Sequence, residues 1–293
     1  MKRFTKVCLV LGIVLLVAGA AAAGASYLLG VEQDIRAAMN PPELERREIT
    51  IPGAELGRLE ISLSSDDVLV EPSSDGNAHI RYPVSEECEY DFQTDKGMIG
   101  GMDKCVFRAE EKAARNGFHF DFSRISWPAV RIALPSEYAG ELKIETVSGE
   151  LAVRGITAGS SSFASTSGDM LLSELGISGR MDISCTSGEV TMENVQAASD
   201  CVVKTISGDI RVTGDTFSRY QASTTSGEIR VSEIASADWM HLQTISGDVT
   251  VRSSTVAELE CKTISGDITV RDDDRIGQYQ CATTSGDVTT DSP

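Results

Sequence analysis

An all-β fold is predicted for this chain: a parallel two-sheet β-solenoid with rungs of about 20 residues, preceded by one N-terminal transmembrane helix. Three observations predict it. The pattern Thr-x-Ser-Gly-(Asp/Glu)-apolar-x-apolar, with Ser or Cys twice in place of Thr, recurs with its serines at Ser148, Ser167, Ser187, Ser207, Ser226, Ser246, Ser265 and Ser285, always 19 or 20 residues apart. Apolar residues alternate with period two on both sides of each serine. An uncharged stretch runs from Val7 to Gly30.

Residues 1–6 form a basic flank carrying Lys2, Arg3 and Lys6. Residues 7–30, 24 in all, span about 36 Å at helical rise, enough to cross a bilayer. The basic flank stays cytoplasmic, so the body that follows is extracytoplasmic. A cleaved signal peptide is a second reading, since Ala21-Ala22-Ala23 and Ala23-Gly24-Ala25 are small-x-small sites. The apolar run through Tyr27-Leu28-Leu29 favours a retained anchor, and Cys8 stands on the wrong side of that run for a lipoprotein signal. Residues 31–47 read as a stalk: a short helix from Val31 to Asn40, stopped by Pro41-Pro42, then the charged Glu43 to Arg47.

Residues 48–140 read as irregular N-terminal rungs and a cap. Leu59, Ile61 and Leu63 precede Ser65, and Val68 and Val70 follow it, with Asp67 at the acidic position. This is a degraded further copy of the repeat in which Asp66 replaces the turn glycine. Strand-like pieces follow at His79 to Tyr82, Tyr90 to Phe92, Phe118 to Phe122 and Val130 to Leu134, with a hairpin excursion around Gly97 to Cys105. A cap is expected because an open solenoid end is a sticky edge.

Residues 141–293 hold the eight regular repeats. Two and four residues before each serine lie inward positions such as Thr146 and Ile144, Thr205 and Val203, or Thr244 and Leu242. Three and five after it come Leu151 and Val153, Ile210 and Val212, or Val249 and Val251. Each repeat is therefore strand, Ser-Gly turn, strand, followed by a variable polar turn such as Thr213-Gly214-Asp215. The turns are Ser148-Gly149, Ser167-Gly168, Ser187-Gly188, Ser207-Gly208, Ser226-Gly227, Ser246-Gly247, Ser265-Gly266 and Ser285-Gly286. Two short strands cannot bury their own apolar face, whereas parallel stacking about 4.8 Å apart can. A β-propeller needs four strands per blade of about 40 residues, and the single-repeat register is too uniform for that.

The strand ending Ile132-Ala133-Leu134-Pro135, followed by Glu141 to Val153 and the Ser-Gly-Asp/Glu run, resembles the putative-adhesin family of bacterial β-strand-repeat proteins, a domain of unknown function. The resemblance covers Ile49 to Thr290. It implies a β-solenoid on or near a bacterial cell envelope, often behind one membrane segment. It supplies no catalytic residues.

Composition narrows the partners. The chain carries −18 overall and +3 in its first thirty residues, leaving −21 for the rest. That body repels nucleic acid and anionic headgroups. Aromatics are only 5%, so the core is built from small and β-branched residues.

The acidic position two after each serine is always filled: Glu150, Asp169, Glu189, Asp209, Glu228, Asp248, Asp267 and Asp287. Stacked, these carboxylates form a ladder. Calcium is one way to offset it, but three glutamates spoil a fixed coordination geometry, so turn-amide hydrogen bonds are expected and no metal or other cofactor. The threonine before the serine shares its face with Ile144 and Val203, so its hydroxyl bonds along the stack instead of presenting an ice-binding plane. Cys88 and Cys105 lie in the non-repeat part and are the candidate disulfide of an oxidising space. Cys261 and Cys281 share a register in adjacent rungs and read as stacked reduced thiols in the core, since parallel in-register geometry is poor for a disulfide.

Outward positions such as Arg211, Arg230, Thr250 and Thr269 build no catalytic constellation, and Trp127 and Trp239 read as packing. The expected protein is not an enzyme. It is a membrane-anchored surface-contact module touching cell-wall polymer or an envelope protein. The alternative is an envelope-stress component acting through a membrane partner. The last strand, Val288 to Asp291, is polar and Pro293 cannot donate to a neighbour, which predicts a self-protected end with weak end-to-end association.

Overall fold

The structure, a computed structural model, describes residues 45–84, 89–99, 102–112, 130–235, 237–271 and 275–290. The anchor segment 7–30 and Phe118 to Phe122 lie outside them. Among the described residues there is no α-helix, and no helix long and apolar enough to cross a membrane.

Period-two alternation produces two parallel sheets that enclose one core. Strands before the Ser-Gly turns stack into a 13-stranded sheet, and strands after them into a 12-stranded sheet. Register is strict. In the first sheet Ile61, Ile144, Phe163, Ile183, Val203, Ala222, Leu242, Cys261 and Cys281 form one column. In the second, Val68, Leu151, Met170, Val190, Ile210, Ile229, Val249, Ile268 and Val288 form another. A slip of one residue would turn every apolar side chain outward, so the core itself sets the register. Volumes compensate within a rung. Tyr220 shares its strand with Ala222, and Phe163 follows Ser161, all four buried.

Each turn glycine answers to stacking. A Cβ on Gly149, Gly168, Gly188, Gly208, Gly227 or Gly247 would sit 1.9–2.2 Å from a carbonyl oxygen of the preceding rung. Gly149 rests on Asp66, which stands in place of the turn glycine in the degraded copy, and the Asp66 carboxylate accepts the Tyr90 hydroxyl from the cap.

Leu56–Leu63 and Val68–Ser73 do form a further rung in register with the eight repeats. The cap is folded back. Met102–Lys112 adds in parallel to Leu56–Leu63, and Val130–Pro135 adds in parallel to Val68–Ser73, laying chain beneath its own first rung. Antiparallel strands finish it: Glu89–Ile99 on Met102–Lys112, Asn77–Val84 on Val130–Pro135, and Glu45–Pro52 on Asn77–Val84. The expected hairpin is thus present, with its tip outside the described residues. Glu45–Pro52 begins inside the segment read as stalk, because Ile49 and Ile51 pair with Ile80 and Ala78.

The variable turn is more regular than its sequence suggests. Seven residues after each of the first six repeat serines the backbone is left-handed, at Gly155, Glu174, Asn194, Gly214, Glu233 and Ser253, with φ from 48 to 75°. The next residue drops into the core: Ile156, Leu175, Val195, Asp215, Ile234 and Ser254 are all buried. A short third ladder then runs along the solenoid through Thr157–Ala158, Gly176–Ile177, and the start of Gln196–Thr205.

Candidate functional site

The Ser-Gly edge carries the predicted acidic ladder, and its charge is offset between rungs. Asp67 Oδ1 accepts the Glu150 amide at 2.9 Å, Asp169 that of Glu189 at 2.8 Å, and Asp209 that of Glu228 at 2.9 Å. Asp248 and Asp267 do the same for Asp267 and Asp287 at 2.8 Å. Glu189 turns instead to Arg211 and to the Thr191 hydroxyl, and Glu228 to Arg230. One oxygen of each of these aspartates is therefore engaged by an amide. Among the described residues no three His, Cys, Asp or Glu side chains are grouped to hold a metal ion.

Behind that edge the inward hydroxyls close the turns, Thr205 by donating to the Gly208 carbonyl of its own turn at 2.8 Å. Thr146 and Ser165 accept the amides of Gly149 and Gly168. Thr224, Thr244, Thr263 and Thr283 donate across the stack to the carbonyls of Gly208, Gly227, Gly247 and Gly266 at 3.0–3.3 Å. The position just before each serine is exposed and always β-branched. Val147, Ile206, Ile245 and Ile264 alternate there with threonines, forming a ridge the sequence reading passed over.

A concavity lies on the third side. A groove of about 700 Å³ follows the short ladder from Ser136 to Asp238. Its floor is Ala158, Ile177, Ala197 and Phe217, all buried. Thr157, Ser178, Gln196, Thr216 and Ser218 line its walls. Crossing three rung steps from Thr157 to Thr216, this stretch is about 14 Å long. Wall hydroxyls donate to backbone carbonyls: Thr157 to Ser136 at 2.6 Å, Ser218 to Ala198 at 3.0 Å. Their free lone pairs, with Glu137 and Asp238 at the ends, make the groove a row of acceptors over an apolar floor. Among the described residues no lysine or arginine lines it. Sequence reasoning missed it because its residues are small and lie in the turn read as variable.

A second surface runs along the outer face of the 13-stranded sheet. Arg180 grips Asp182 at 2.6 and 2.7 Å, and Asp200 lies 4.0 Å from Arg180 and 3.7 Å from Arg219. Arg219 covers Trp239 at 5.1 Å, Trp239 lies parallel to His241, and His241 meets Glu260 at 2.9 Å. Trp239 is thus a half-exposed outer-face residue, while its neighbour Met240 is the one packed inside.

The candidate disulfide lies beyond reach: Cys88 is outside the described residues, and only the backbone of Cys105 is described, opposite Lys96. Trp127 is outside them as well. Cys185, Cys201, Cys261 and Cys281 are free thiols.

A repeat-built parallel solenoid with a grooved side defines the class, and residues 56–275 match the model of the Toastrack DUF4097 family. The chain belongs to that family, in keeping with the resemblance drawn from its repeats. No curated protein matches it. Among solved structures it is similar to a putative adhesin from Bacteroides fragilis (13% identity, TM-score 0.44, 85% of this chain and 97% of that one). It is also similar to a putative adhesin from Parabacteroides distasonis (14%, TM-score 0.43, 85% and 98%). A putative cell adhesion protein from Clostridium sporogenes matches at 8% identity, TM-score 0.32, over 85% of this chain and 99% of that one.

Proposed function

We propose that this protein is a non-catalytic, adhesin-like contact module. Its N-terminal helix holds it in the cell membrane, and its solenoid engages a hydroxyl-rich polymer on the outer side. The groove over Ala158, Ile177, Ala197 and Phe217 is the observation that carries this reading. Its acceptor-rich walls suit a ligand that brings many hydroxyl donors, and its apolar floor suits the C–H faces of sugar rings. Its lining is small, hydroxylic or apolar, with two carboxylates at the ends. That lining supports contact without chemistry, because no nucleophile is paired there with a base.

The test is crosslinking from the groove in the native envelope, with a photoreactive side chain at Ala198 and a control at Thr269 on the opposite sheet. Recovery with wall polymer from Ala198 and not from Thr269 supports the reading. Recovery of one membrane protein from either position replaces it with the regulatory alternative.

A further inference from the structure

The last two described rungs bring two thiols together. Cys261 in Val256–Lys262 and Cys281 in Ile276–Ala282 are partners on adjacent parallel strands. The ladder sets their Cα atoms about 4.8 Å apart, inside the span that a disulfide accepts. The two thiols shift each other's acidity. Cys185 and Cys201 have no such neighbour: their strand partners are Ser165 and Thr205, and Met181 and Tyr220.

The two thiols differ in access and acidity. Cys261 is buried and Cys281 only half-buried. Hydrogen bonding from Cys261 holds the Cys281 thiol below the usual cysteine range. The same bond, reinforced by burial, pushes Cys261 well above it. Cys281 is therefore the thiol that ionises and attacks, and Cys261 the one that follows.

Strand position removes the geometric objection to closure. Residues directly opposed on parallel strands hold their Cβ atoms slightly too far apart for a disulfide. Ile276–Ala282 is the outermost strand of its sheet among the described residues. Tyr279 on it is 42% exposed. An exposed strand can move by the fraction of an ångström that closure needs.

We propose that Cys281 and Cys261 form a thiol–disulfide exchange site whose substrate is a small disulfide such as glutathione disulfide. The Cys281 thiolate attacks one sulfur, forming a mixed disulfide and releasing one glutathione thiolate. Cys261 loses its proton to solvent and attacks Cys281 Sγ, expelling the second glutathione as a thiolate. The two protein thiols give up two electrons and two protons, and the glutathione disulfide is reduced to two thiols. The product is a cross-rung disulfide fastening the outermost rung to its neighbour.

The experiment incubates the full-length protein with glutathione disulfide and maps the cysteines by peptide mass. The expected product is a linked pair of peptides containing Cys261 and Cys281, lighter by two hydrogens. In a C261S variant the expected product is a stable glutathione adduct on Cys281, and in C281S no product forms at either position. Before oxidation, a small alkylating reagent should label Cys281 about tenfold faster than buried Cys201. Persistent free thiols at both positions in the wild type, or equal labelling of Cys281 and Cys201, would overturn the proposal. So would a Cys281 adduct that never resolves in the wild type.

Discussion

At the residue scale the most informative side chain is Asp215, which occupies a column shared with Ile156, Leu175, Val195, Ile234 and Ser254. It is fully buried. Its Oδ1 accepts the Val195 amide at 2.7 Å, and its Oδ2 has no partner among the described residues. Burial pushes its pKa up to about 7, helped by Glu193. The folded value lies above the unfolded one near 3.8, so this site contributes most at low pH. Its contribution falls as pH rises from about 4 to about 7 and is flat beyond. Asp215→Asn keeps the acceptor and cannot ionise. It should remove that part of the pH dependence and raise stability at pH 8 by on the order of 2 kcal/mol, read from urea melts at both pH values. Turn glycines make the opposite case. Gly188→Ala places a methyl 2.2 Å from the Gly168 carbonyl, and should cost several kcal/mol or abolish soluble expression. An unchanged melt would mean that the stack is looser than described.

At the element scale the cap is held partly by a charged clasp. His79 bridges Glu48 at 2.7 Å and Asp75 at 2.9 Å, and Arg81 also reaches Glu48 at 2.9 Å. The hydrogen bond to Asp75, and then that to Glu48, raises the His79 pKa above its ordinary 6.5. Stability from the clasp is therefore complete below about 6.5 and lost as pH climbs through the raised value. Hydrogen-exchange protection of Glu45–Pro52 and Asn77–Val84 should fall, relative to the central strands, as pH climbs from about 6.5 through the raised His79 value, and His79→Gln should flatten that change. Legibility in the sequence divides at this scale. Strand positions and the Leu56–Ser73 rung were readable because period-two columns report burial directly. The order of the cap was not, since alternation shows which face of Met102–Lys112 is apolar and not which edge it joins. The left-handed position was hidden too. Gly155 and Asn194 suit it, but Glu174, Glu233 and Ser253 carry no signal beyond their spacing.

At the scale of the whole molecule the repeat does two jobs. It builds a rigid stack from inward columns, and it leaves outward columns free to vary, which is where the groove and the Arg219–Trp239–His241 row arise. The acidic ladder was legible as a ladder, while its amide partners one rung away became visible only with the stacking. Trp239 shows the same division. Read from the sequence as packing, it lies half-exposed on the outer face, and its stacking on Arg219 depends on the neighbouring rung.

The account stands most directly on whether the groove binds a hydroxyl-rich polymer, and cosedimentation of the purified protein with isolated wall polymer measures this. Wild type should pellet with the polymer. Ala198→Trp, an exposed wall substitution that spares the core, should lose at least about tenfold in apparent affinity, about 1.4 kcal/mol, with an unchanged melt. Wild type remaining in the supernatant, or Ala198→Trp pelleting equally well, would contradict it.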